Sequence, residues 1–218
     1  KITKKGVNTL KKENDNMKEI KRDYYLNKLI KRRENGRIKI ITGIRRCGKS
    51  YLLNPIFKKY LLETGVPEDH IINLDMDYIE NKKYHDPNML FEYVMDKRKD
   101  NKMYYVLIDE IQEVDDFERV LNSFLGKRNL DVYVTGSNSK FLSNDIKTEF
   151  RGRGDEIRIY PLSFKEFSSA YSGTDDQKWN QYVTYGGMPY LLALDTDEDK
   201  SQYLKDLFDN TYLKDILE

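Results

Sequence analysis

Residues 43–50 read Gly43-Ile44-Arg45-Arg46-Cys47-Gly48-Lys49-Ser50 and fit the pattern G-x-x-x-x-G-K-[ST]. At average amino-acid frequencies a chain of this length meets that pattern by chance roughly once in a hundred. The chemistry it suits is the holding of phosphate. Glycines near both ends let the backbone approach an anion where a Cβ would intrude, Lys49 brings a fixed positive charge, and the Ser50 hydroxyl can ligate Mg²⁺. The plain alternative is an ordinary glycine-containing turn between a strand and a helix. The flanking sequence argues against it, because RIKIIT (37–42) is a β-branched run and an apolar helical pattern extends from about Lys49 to Leu62. A strand, then this loop, then a helix aims several backbone N–H groups and a helix N-terminus at one point.

A second constellation closes the apolar run MYYVLID (103–109), which ends in Asp109-Glu110. A strand buried on both faces holds the groups at its carboxyl end rigidly at the ligand edge of a sheet. Asp109 is suited to the shell of a Mg²⁺ ion, and Glu110 to polarising a water for attack on a γ-phosphate. Alone, such a pair is more often a helix cap with a first-turn acid; beside the loop it gains meaning. DVYVTG (131–136) ends in Thr135-Gly136-Ser137-Asn138, where Ser137 or Asn138 can sense the γ-phosphate or the attacking water, although both are also turn formers. Arg151-Gly152-Arg153-Gly154 is a flexible basic segment that can stabilise transition-state charge or simply remain a solvated loop. Ile44, Arg45, Arg46, Cys47 and Tyr51 fall within or beside the phosphate loop as candidate nucleotide contacts, the two arginines serving equally to pair with local carboxylates. The Cys47 thiol at a helix N-terminus would ionise more readily than usual, whereas a small packed side chain is the plainer reading.

The elements that must position these groups alternate. Strands are expected at 37–42, 70–77, 103–109, 131–136 and 156–162, with helices at about 49–62, 88–97 and 115–125 between them. Strands interleaved with helices imply parallel βαβ units and an α/β sandwich, with YYVLI as a central strand. Pro55, inside the first helical pattern, removes a hydrogen bond and predicts a kink or early break. Ile20, Tyr24, Leu26, Leu29 and Ile30 predict an amphipathic helix before the first strand. After Phe164 the pattern turns helical. Residues 1–16 read as a flexible basic leader with Met17 as the natural start, 17–165 as the phosphate-loop domain, and 166–218 as the start of a truncated C-terminal region, because the helical pattern runs into Glu218 without a cap.

The 218 residues, 34% charged and 39% hydrophobic, are too apolar for a disordered tail. The longest apolar run, Met103 to Ile108, is far short of the about 20 residues a membrane helix needs. No secretory leader is expected, and the cytoplasm is the expected location. One cysteine and two histidines exclude disulfide and zinc scaffolds. Residues 1–39 hold 14 Lys/Arg against 5 Asp/Glu, a balance of +9 that the remaining 179 residues offset with −8. Such a basic arm suits DNA phosphates or intramolecular pairing.

ITGIRRCGKSYLL, VLIDEIQEV, VYVTGSNSKFL, RGRGDEIRIYPLSFKEF and YGGMPYLL together resemble the prokaryotic family of AAA+ superfamily ATPases that joins this domain to a C-terminal domain of unknown function. The resemblance runs from about Met17 to the end of the chain, and DEIQ and PLSFKEF are its most specific parts. It implies a parallel five-stranded sheet in the order 5-1-4-3-2 flanked by helices, an ATP-dependent mechanism and a second domain of which only the start is expected here. With the Mg²⁺ chemistry of Ser50 and Asp109, ATP and Mg²⁺ are the expected cofactors, while the sequence leaves open a homo-oligomer or a protein partner. It also implies phosphate-loop roles for Lys49 and Ser50, acidic-pair roles for Asp109 and Glu110, a sensor at Ser137-Asn138 and a catalytic arginine at Arg153. The leading expectation is a Mg²⁺-dependent ATPase that switches or drives a partner. A nucleotide-gated binding module with little turnover is the alternative, and a small-molecule kinase a weaker third.

Overall fold

The computed structural model describes residues 20–136, 150 and 152–212. The chain divides into two compact units, Arg22–Tyr160 and Pro161–Asn210.

In the first unit, helix α1 (Asp23–Lys31) precedes β1 (Ile38–Thr42), and a helical run over 49–63, here α2, follows the loop. Then come β2 (Ile71–Asp75), α3 (Pro87–Lys97), β3 (Tyr104–Asp109), α4 (Phe117–Leu125), β4 (Leu130–Thr135) and β5 (Gly154–Arg158). The five strands are all parallel, in the order β2-β3-β4-β1-β5, which is the expected 5-1-4-3-2 read from the other edge. The near-continuous apolar strands are explained by two cores. Ile38, Ile40, Val106, Ile108, Val132 and Val134 turn to one face and pack under α3 and α4 with Leu90, Val94, Val120 and Phe124. The alternate residues Ile41, Tyr105, Leu107 and Tyr133 meet Leu29 of α1 and Leu52, Leu53, Phe57 and Leu61 of α2 on the other. Both faces are buried, so the two-residue alternation of polarity disappears.

Three expectations are corrected. Pro55 does not end its helix: the hydrogen-bonding register widens to a π-helix over Leu52–Lys58, and the run continues as Lys59–Glu63. A proline has no N–H and crowds the carbonyl four residues back, which a wider turn relieves. The buried face of α1 is Tyr25 and Leu29 rather than Tyr24, which is exposed. Tyr25 is drawn in by the Tyr160 N–H, which donates to its hydroxyl at 3.3 Å. The fifth strand starts two residues earlier than expected and stops at Arg158, because its partner β1 ends at Thr42 opposite it.

The second unit contains α5 (Phe164–Ala170), α6 (Asp175–Tyr185) and α7 (Asp197–Leu207). Ser163 with Glu166, and Thr174 with Gln177, form reciprocal caps at the starts of α5 and α6. Phe164 and Phe167 pack on Tyr182, whose hydroxyl donates to the Leu162 carbonyl at 3.0 Å.

Candidate nucleotide site

Parallel strands bring their carboxyl ends to one edge of the sheet. Asp75 closes β2, Asp109 β3, Thr135 β4 and Thr42 β1, with Asp75 opposite Asp109 in register. The loop 43–48 leaves this edge and enters α2 at Lys49. Gly43 has φ +149°, and a Cβ there would lie 2.5 Å from the Ile159 carbonyl and 2.9 Å from Cys47 Sγ, so only glycine fits. Gly48 caps α2 in the left-handed conformation at φ +98°, with Arg46 also left-handed at +63°.

Lys49 is buried, and its Nζ donates to the Gly43 carbonyl at 3.3 Å and lies 4.0 Å from Glu110 Oε1. Asp109 is 2% exposed and accepts hydrogen bonds from the hydroxyls of Thr135 and Ser50. Burial pushes its carboxyl above the usual carboxylate range, the two hydroxyls draw it back, and the charges of Glu110 and Asp75 raise it further. Burial likewise raises Asp75, despite the Asp77 N–H donated to it. Glu110 adopts φ +52°, uncommon for a residue with a side chain. Its N–H donates to Thr135 Oγ1 at 3.0 Å, and its Oε2 accepts from Gln112 Nε2 at 2.5 Å. The Thr135 hydroxyl thus serves both members of the acidic pair.

Lys49, Ser50, Asp109 and Glu110 are therefore brought together. Ile44, Arg45, Arg46 and Tyr51 lie exposed around the loop. Ser137 and Asn138 lie outside the described residues. Arg153 is not brought to the loop: its carbonyl accepts from the N–H of Ile38, the first residue of β1, and its guanidinium donates to Asn122 Oδ1 on α4 at 2.9 Å. At about 3.3 Å per residue, the length of β1 separates it from the loop. Cys47 is fully buried, and burial pushes its thiol up rather than down. Desolvation outweighs the nearby positive charges that would favour a thiolate.

Sequence reasoning missed Thr135 and Asp75. The sequence pattern draws attention to Ser137 and Asn138 in the turn beyond Thr135; as the last paired residue of β4, the Thr135 side chain is the one the sheet holds. Asp75 was legible only as an acid closing a strand, and its proximity to Asp109 is a matter of strand pairing. Part of the basic arm is engaged in internal ion pairs where it is described: Arg32 and Arg37 reach Asp155, Arg33 reaches Glu34, and Lys39 reaches Asp131.

Residues 35–168, more than half of the chain, match the family model described as an AAA domain. The chain belongs to the AAA-domain family. Relatives of this AAA chain include an uncharacterized protein of Haemophilus influenzae, 36% identical over 203 residues that make up 90% of this chain and 50% of that protein. An uncharacterized protein of Methanocaldococcus jannaschii is 29% identical over 198 residues, 84% of this chain and 42% of its own length. The AAA chain thus spans half or less of the relatives it matches. Among solved structures, the S. cerevisiae Hsp104–ADP complex shares the fold with a TM-score of 0.53 and 16% identity, covering 88% of this chain and 32% of that one. Among the described residues no helix is long and apolar enough to cross a membrane.

Proposed function

We propose that this AAA chain is a Mg²⁺-dependent ATPase that converts ATP to ADP and phosphate to switch or drive a partner. The observation that carries the reading is the convergence of buried Lys49, the hydroxyl-bridged Asp109 and the Lys49-facing Glu110 at one sheet edge. ATP as the nucleotide draws on the family, and one solved structure that shares this fold is an ADP complex.

Each residue has work suited to its position. The loop N–H groups and the start of α2 bind phosphate oxygens, while Lys49 exchanges its pairing with Glu110 for the phosphate charge. Asp109 and Ser50 fit a divalent cation: one buried carboxylate beside one hydroxyl supplies oxygen donors and leaves other positions to phosphate and water. That cation, when bound, offsets the negative charge of the phosphates. Thr135 fixes the orientation of Asp109 and of the Glu110 backbone. Glu110, released from Lys49, accepts a proton from the attacking water. Ser137 and Asn138 remain candidates for sensing the γ-phosphate.

Residues 17–165 are read as the ATPase domain, 166–218 as a helical segment after it, and the cytoplasm as the location. A second reading, a nucleotide-gated protein- or DNA-binding module with little turnover of its own, draws on Arg153. Standing at the far end of β1, Arg153 would act on the nucleotide of a neighbouring copy rather than its own, so turnover would depend on assembly.

Phosphate release from ATP with Mg²⁺, measured beside nucleotide binding, tests these readings. Lys49→Ala is expected to lose both binding and turnover, and Glu110→Gln to keep binding while losing about 10²–10⁴-fold in rate. Binding without turnover, or turnover that appears only as protein concentration rises, would favour the gated module, and no binding would sink both.

A further inference from the structure

Glu110 is followed by a single 3₁₀ turn, Ile111–Glu113, that is anchored at both ends. Its backbone closes through Glu113 N–H to the Glu110 carbonyl at 3.1 Å and Val114 N–H to the Ile111 carbonyl at 3.0 Å, and Ile111 is fully buried in the core under β3. From this turn Gln112 reaches back, donating from Nε2 to Glu110 Oε2 at 2.5 Å. Its other amide atom, Oε1, is buried without a hydrogen-bond partner among the described residues. A buried acceptor left unpaired is a cost to folding, so the amide is not held there by its own full satisfaction. Among the described residues, the bond to Glu110 is the polar contact its side chain gains in return.

We propose that Gln112 is a positioning residue for hydrolysis, holding the Glu110 carboxylate in its working orientation; the proposal rests on the ATPase reading above. The two Glu110 oxygens are drawn in different directions, Oε1 toward Lys49 at 4.0 Å and Oε2 to Gln112. Phosphate competes for the Lys49 ammonium once nucleotide enters, and the tether to Lys49 weakens. The amide carries no charge, does not compete for phosphate, and stays on an anchored turn. Gln112 therefore retains its hold on Glu110 when orientation matters for the chemical step, and contributes nothing to nucleotide affinity.

Gln112→Leu removes both the donor and the unpaired acceptor while keeping the bulk of the side chain. Its kcat for ATP is expected to fall about tenfold to hundredfold, as for other small misplacements of a reacting group. KM for ATP and the affinity for ADP are expected to stay within about threefold of wild type, the split that separates an orienting role from a binding or folding one. Wild-type kcat in Gln112→Leu, with Glu110→Gln inactive, would overturn the inference and leave the ATPase reading intact. A second measurement does not depend on turnover: the side-chain amide resonances of Gln112, assigned by their loss in Gln112→Leu, are compared between wild type and Glu110→Ala. They are expected to shift when the carboxylate is removed. Unmoved resonances would overturn the inference even in a chain that hydrolyses nothing, whereas absent turnover with shifted resonances would overturn the ATPase reading and keep the contact.

Discussion

At the scale of single residues, the site depends on groups whose work is done out of solvent. Thr135 is fully buried, and its one hydroxyl donates to Asp109 while accepting from the Glu110 N–H. Thr135→Val keeps the shape and deletes both bonds, leaving a buried carboxyl and a backbone N–H each short of a partner. Urea unfolding is expected to show a loss of about 1–3 kcal/mol. The phosphate-release assay is expected to show slower turnover as well, since Asp109 and Glu110 are both released. Stability and rate equal to wild type would sink the assignment. Cys47 makes the opposite point, because a thiol in a phosphate loop looks reactive until its burial is known. With Sγ packed against Gly43 and its ionisation pushed upward by burial, Cys47 is expected to react with a thiol reagent at pH 8 far more slowly than in urea-unfolded chain. Equal rates would refute the packing.

At the scale of elements, helix starts and strand ends do most of the positioning. The start of α6 is set by Thr174, whose hydroxyl accepts from the Gln177 N–H while the Gln177 side chain accepts from the Thr174 N–H. Thr174→Ala is expected to cost about 1 kcal/mol in chemical denaturation, and Thr174→Ser to recover most of it. No loss on alanine substitution would mean that packing of Phe164 and Phe167 on Tyr182 alone defines the helix. In α2 the proline expected to break the helix sits within a widened turn, since Leu52, Leu53, Ile56 and Phe57 are all buried along it and hold the run against the sheet. Burial of four apolar side chains outweighs one missing hydrogen bond.

At the scale of the whole molecule, a buried charge network closes the sheet edge opposite the phosphate loop. Lys39 Nζ is bonded to Asp131 Oδ1 and donates to the Arg37 carbonyl at 2.8 Å. Asp131 Oδ2 accepts from the Tyr133 hydroxyl at 2.8 Å and the Glu34 N–H at 2.9 Å. The network ties β1, β4 and the turn after α1 together across nearly a hundred residues of sequence. Lys39→Met leaves Asp131 buried without its cation, an expected loss of about 3–5 kcal/mol. The double change Lys39→Met with Asp131→Leu is expected to be more stable than Lys39→Met alone. A double variant no better than the single one would show that the hydrogen bonds from Tyr133 and Glu34 matter more than the ion pair.

What could be read along the chain was what contiguous residues dictate. The loop 43–50, the apolar runs that became β1, β3 and β4, and the parallel α/β order rest on local pattern, and the sheet order came with the family resemblance. That Lys49 and Asp109 share one edge then follows from parallel strands, because every strand delivers its carboxyl end to the same side. Tertiary structure decided what depends on which residues become neighbours across strands. Asp75 stands beside Asp109 only because β2 pairs with β3, and Thr135 serves the acidic pair only because β4 lies between β3 and β1. Arg153, whose reach along the sequence is open, lies at the far end of β1 because it precedes a strand that runs parallel to it. A short-range pattern encodes what an element is; the side chains that meet across a sheet are set by register and burial, which no stretch of sequence carries by itself.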